Sequence, residues 1–71
     1  MSEISVSRCT DDGIVEIRAY GGSRRERGAS IAAAVRRLRR EGTELQRFYV
    51  AYDEMYGFQT MTWARYRGAP R

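Results

Sequence analysis

Only one stretch of this chain carries apolar residues at helical spacing. Ile31, Val35 and Leu38 recur at i, i+4 and i+7 with Ala34 beside them, a single stripe that Gly42 closes. On both sides of it the apolar residues alternate with polar ones, the period of a half-buried strand. One amphipathic helix has to lay its stripe against the apolar face of something else, and here only a sheet is available. At 71 residues, a domain buries roughly 60% of the surface its unfolded chain exposes. That leaves room for one core and one domain.

Residues 3–8 read as a short strand with Ile4 and Val6 on one side, followed by a turn at 9–13 whose Asp12-Gly13 pair tolerates positive φ. Residues 14–20 form a second strand, with Val15, Ile17 and Ala19 facing one way and Glu16, Arg18 and Tyr20 the other. Ser23 and Glu26 have the spacing of a capping box, but Gly28 costs a helix roughly 1 kcal/mol. Starts at Arg24 and at Ala29 therefore compete, and the glycine favours Ala29, after an arginine-rich loop. Residues 45–53 form a third strand, with Arg47, Tyr49 and Ala51 on the face opposite Phe48, Val50 and Tyr52. A turn at 53–57 leads to a last strand at 58–67. Burial of the indole gains most there, which assigns Met61 and Trp63 to the core. Residues 3–67 are expected to fold, with 68–71 a frayed tail. The fold class is α+β: two layers, one helix on a four-stranded, mainly antiparallel sheet, in the order β-β-α-β-β.

Charge is concentrated in one element. All 13 basic residues are arginine, against 9 acidic ones, for a net charge of +4 and a pI near 9.8. Seven of those arginines lie between Arg24 and Glu41, opposed only by Glu26 and Glu41. The planar guanidinium suits phosphate and carboxylate recognition, although GC-rich codon usage would also replace lysine throughout. Arg24, Arg25, Arg27, Arg36, Arg37 and Arg40 are thus candidates for contacts to phosphates or to an acidic protein groove. A second candidate is the sheet face turned away from the helix, where Arg18, Tyr20, Arg47, Tyr49 and Tyr66 are expected. Tyrosine and arginine together can stack bases or anchor a protein interface.

Other classes lack parts. The chain has no histidine and a single cysteine, Cys9. That removes an intramolecular disulfide, the usual zinc sites and histidine-based catalysis, and it fits a reducing compartment. Asp11-Asp12 and Asp53-Glu54 fall in expected turns, where aspartate serves the backbone. No apolar run approaches the roughly 18 residues of a membrane span, and no secretory pattern opens the chain. The expectation is a cytoplasmic, non-enzymatic binding module without metal or cofactor, either a monomer or a homodimer through its sheet.

A hairpin, a small-residue helix (GASIAAAVRRL, residues 28–38) and a closing aromatic hairpin follow one another over residues 13–66. In element order this layout resembles small phage-encoded inhibitors of the anti-CRISPR type. The resemblance implies an accessory protein of the host cytoplasm that occludes a host protein or ribonucleoprotein, such as a CRISPR effector complex, and does no chemistry. Many of those inhibitors are acidic mimics of DNA; this basic chain departs from them and would instead dock on an acidic or guide-adjacent surface, with at most weak nucleic-acid contact. The rival expectation is a small basic DNA- or RNA-binding module, or a transcriptional regulator, with strongly salt-dependent affinity.

Overall fold

In a computed structural model, which describes the backbone of residues 4–70 and all of their side chains but those of 48–53, 56, 69 and 70, two glycine-bearing turns fold the chain into antiparallel hairpins. The first joins β1 (Ser5–Asp11) to β2 (Ile14–Tyr20). Its two turn residues, Asp12 at φ +55° and Gly13 at φ +77°, both take the left-handed region that a type I′ turn needs. The expected turn was longer; Cys9 and Thr10 in fact continue β1 and pair with Glu16 and Val15. The second hairpin joins β3 (Thr43–Tyr56) to β4 (Gln59–Pro70) through Gly57 and Phe58, with only the glycine at positive φ.

This second hairpin corrects two expectations. Asp53 and Glu54 lie inside β3 and not in a turn. The expected frayed tail is strand as far as Pro70, with Gly68 opposite Leu45 and Pro70 opposite Thr43. Gly68 makes that closure possible. A Cβ there would stand 2.9 Å from Val15 Cγ2 and 3.1 Å from Leu45 Cδ2, so its missing side chain lets those two residues meet over the strand.

The helix, α1, runs Arg24–Arg40 and so begins at the earlier of the two competing starts. The Glu26 amide donates to Ser23 Oγ at 3.1 Å, and the Ser23 amide donates to Glu26 Oε1 at 2.9 Å, which closes the capping box. A cap is worth about 1 kcal/mol and offsets the cost of Gly28; the anchoring of Arg27, described below, tips the balance. Gly42, at φ +97°, ends the helix where the sequence places its stop.

The strands pair antiparallel in the order β1-β2-β4-β3, and α1 lies over β2, β4 and β3. Class and element order agree with the sequence reading. The core joins Val15 and Ile17 of β2, Ile31, Val35 and Leu38 of α1, Leu45 of β3 and Tyr66 of β4, with Ala19 and Ala64 between them. The facing of β4 is the reverse of the expected one. Its register sets Thr62 opposite Ala19, Ala64 opposite Ile17 and Tyr66 opposite Val15, on the face that meets the helix. Under α1 the central strands need small residues for close approach, and an indole there would lift the helix off. Met61 and Trp63 therefore point to the open face, where Met61 is buried outside the core cluster and Trp63 is half-buried.

Candidate functional site

The arginines divide by what holds them. Arg27, expected among the binding residues, is only 3% exposed. Its Nε donates to Thr62 Oγ1 at 2.9 Å, and one terminal nitrogen donates to the carbonyls of Gly21 and Gly22 at 3.0 and 2.8 Å. It stands one helical step before Ile31 on the apolar stripe, so it fastens α1 to the end of β2 and to β4. Its role is structural.

The remaining helix arginines, Arg24, Arg25, Arg36, Arg37, Arg39 and Arg40, are exposed. Near the C-terminal end they form two rows, one on each flank. Arg36 and Arg39 border a trough of about 300 Å³ that runs between α1 and β3 and is floored by Thr62, Ala64 and Tyr66 of β4. Arg37 and Arg40 border a wider groove of about 920 Å³ between α1 and β1, with Arg8 across from them and Ala33 and Ala34 between. Among the described residues Arg25, Arg36, Arg37, Arg39 and Arg40 meet few anions. Glu26 is occupied by the cap, and Glu41 approaches Arg37 Nε only at 4.0 Å. Arg39 donates to the Leu45 carbonyl at 3.2 Å, which holds its guanidinium at the mouth of the trough.

Two residues expected on the open sheet face belong to the helix side. Arg47 pairs in register with Tyr66, and both line the trough; Tyr66 is 4% exposed, part of the core and no surface anchor. The physical reason is register. Leu45 and Arg47 share the helix side, and a β-bulge follows at once, because Tyr49, two residues on, pairs with Arg65, only one residue before Tyr66. The side chain of Tyr49 lies outside the described residues.

The open face carries a different set. Tyr20 and Arg18 are there, as expected, joined by Trp63 and Arg65. Glu16 Oε2 accepts from Arg18 at 2.6 Å and its Oε1 accepts from Arg65 Nε at 2.9 Å. Burial pushes the Glu16 carboxyl up, but the hydrogen bonds from Arg65 and Arg18 more than offset this and hold it below its ordinary value. Tyr20, and after it Glu16, raise the Arg18 guanidinium above its ordinary range. The Arg65 guanidinium lies 4.7 Å from the Trp63 ring centre, and the indole N–H donates to Glu54. The central arginines of this face are thus already matched by carboxylate and by aromatic ring. At one end of the molecule Met55 and Phe58 stand exposed on the β3–β4 turn, an apolar tip.

No known family, curated protein or solved structure matches this chain. Its chemistry therefore rests on its own geometry. Arg36, Arg37 and Arg40 stand where the sequence places them, exposed on α1, while Arg24 and Arg25 occupy its first turn and not a loop. Arg39 was missing from the expected binding set, although its spacing of i+3 from Arg36 puts the two on one flank. Cys9 is exposed on β1 and fills no apolar gap. Among the described residues no helix is long and apolar enough to cross a membrane.

Proposed function

We propose that this chain is a non-enzymatic binding protein that docks its arginine-bearing helix on a polyanionic or acidic surface of a nucleic-acid machine and acts by covering it. A phage-type inhibitor of an effector complex, the anti-CRISPR type included, works in this way. One observation carries the reading: among the described residues, the exposed Arg25, Arg36, Arg37, Arg39 and Arg40 of α1 have only Glu41 as a near carboxylate, 4.0 Å from Arg37, while Glu26 is tied into the helix cap. An ordinary solvated helix face interleaves its signs, and like charges such as Arg36 and Arg40 at i, i+4 cost the helix stability. Concentrated positive charge speeds encounter with an oppositely charged surface and favours the matching partner.

The rival reading, direct binding of nucleic acid, is favoured by the Arg18, Tyr20, Trp63 and Arg65 face, since arginine and aromatic rings stack on bases. Capture from host lysate, together with anisotropy on labelled single-stranded DNA, duplex DNA and RNA, separates the two. The docking reading expects one protein complex to be captured, and Arg36→Glu/Arg37→Glu/Arg40→Glu to lose it. It also expects weak affinity for naked nucleic acid. Tight binding to a nucleic acid that falls about a thousandfold between roughly 50 and 200 mM salt would replace it with the rival. Unchanged capture by the triple variant would remove α1 from the interface.

A further inference from the structure

We propose that the trough between α1 and β3 is a binding site for a nucleotide, with the phosphate at its arginine mouth and the base in its apolar interior. This goes beyond docking by charge, because it needs a concave site with two unlike ends. The mouth holds Arg36, Arg39 and Arg47, and none of the described lining residues is acidic. Among the described residues Arg36 and Arg47 make no ion pair, while Arg39 is held in place by the Leu45 carbonyl. A guanidinium cluster of this kind is complementary to a phosphate dianion, which it can grip with paired N–H donors. Behind the mouth lie Ile31, Val35, Ala64 and the Tyr66 ring, an apolar slot suited to a flat heterocycle. The volume of about 300 Å³ lies at the lower end of the range for small-ligand sites.

Two features of the backbone are otherwise unexplained and fit this site. Gly28 forms part of the trough wall, in the second turn of α1. A Cβ there would meet nothing within 4 Å, so no packing demands a glycine, and the helix bears roughly 1 kcal/mol for it. Its effect is to keep the wall low. On the facing side the bulge between Arg47 and Tyr49 falls directly after the arginine at the mouth, and bulges commonly re-aim side chains at binding sites.

Chemical-shift titration of the isotope-labelled chain with AMP, adenosine and inorganic phosphate tests the proposal. AMP is expected to move the signals of Arg36, Arg39 and Arg47 together with the methyls of Ile31, Val35 and Ala64. Adenosine or phosphate alone is expected to bind at least about tenfold more weakly than AMP. Gly28→Gln should fill the trough, raise the thermal melt as a better helix former and abolish the AMP shifts, and Arg47→Ala should weaken AMP about tenfold. A short single strand with a terminal phosphate distinguishes the sources: tighter binding than AMP assigns the site to a strand end, equal or weaker binding to a free nucleotide. The proposal is overturned by an absence of shifts at about 10 mM AMP, by phosphate binding as well as AMP, or by full AMP binding in Gly28→Gln. Because lysate capture requires no nucleotide, the docking reading and this one can fail separately.

Discussion

Three hydrogen bonds from one guanidinium tie the first turn of α1 to the Gly21-Gly22 segment and to Thr62. Replacing Arg27 with leucine would keep most of the volume but strand the buried Thr62 hydroxyl and two part-buried carbonyls. A loss of about 2–4 kcal/mol is expected, read by chemical denaturation, and for a domain this small that is a large share of the total. An Arg27→Leu chain as stable as the parent would mean that the bonds are not formed. The signal for this role is in the sequence, since Arg27 falls four residues before Ile31 on the stripe, but it is legible only once the helix is started at Arg24. For Arg47 and Tyr66 there is no such signal. The facing of Arg47 goes with Leu45 just before a bulge, and that of Tyr66 with the face of β4 that meets α1; neither leaves a periodic trace in its own strand.

At the scale of elements, α1 sets a good cap against a poor interior residue. Ser23→Ala is expected to cost about 1 kcal/mol, and Gly28→Ala to gain up to about 1 kcal/mol, both measured as shifts in the denaturation midpoint. A neutral Ser23→Ala would return the helix start to Ala29. The β-β-α-β-β order was legible because alternation and glycine punctuation are local properties. The strand ends and the face of β4 were not. Thr62, Ala64 and Tyr66 compete with Met61 and Trp63 for the inside, and hydrophobicity alone favours the larger pair. What decides is the space left under α1 by Val15, Ile17, Ile31 and Val35, which no single strand reveals.

For the whole molecule, the two faces have unlike electrostatics, and acid should act on them differently. Glu16 is held below its ordinary value near 4.5 in the fold. Its contribution is therefore present above that value and is lost as the pH falls through the lower, folded one. Glu16→Gln is expected to cost about 1 kcal/mol at neutral pH, a figure kept modest because Arg18 and Arg65 are partly exposed. The gap between variant and parent should narrow in denaturation curves as the pH falls below 4.5; a constant gap across pH would deny Glu16 its ion pairs. On the helix side Glu41 stands 4.0 Å from Arg37 Nε and both side chains are largely exposed, a much looser pairing than that of Glu16.

The strand order β1-β2-β4-β3 also governs how the chain can come together in time. The last of these four strands in sequence is an interior one, and β2 gains its second neighbour only when residues 61–67 arrive. During synthesis the first hairpin and the helix must wait, with one flank of β2 open and the apolar stripe of α1 uncovered, for the seconds that the remaining residues take at about 5–20 residues per second. Closure across so wide a sequence separation is entropically slow. Docking of β4 against β2 completes the sheet and the core and brings in the β4 residues that floor the trough.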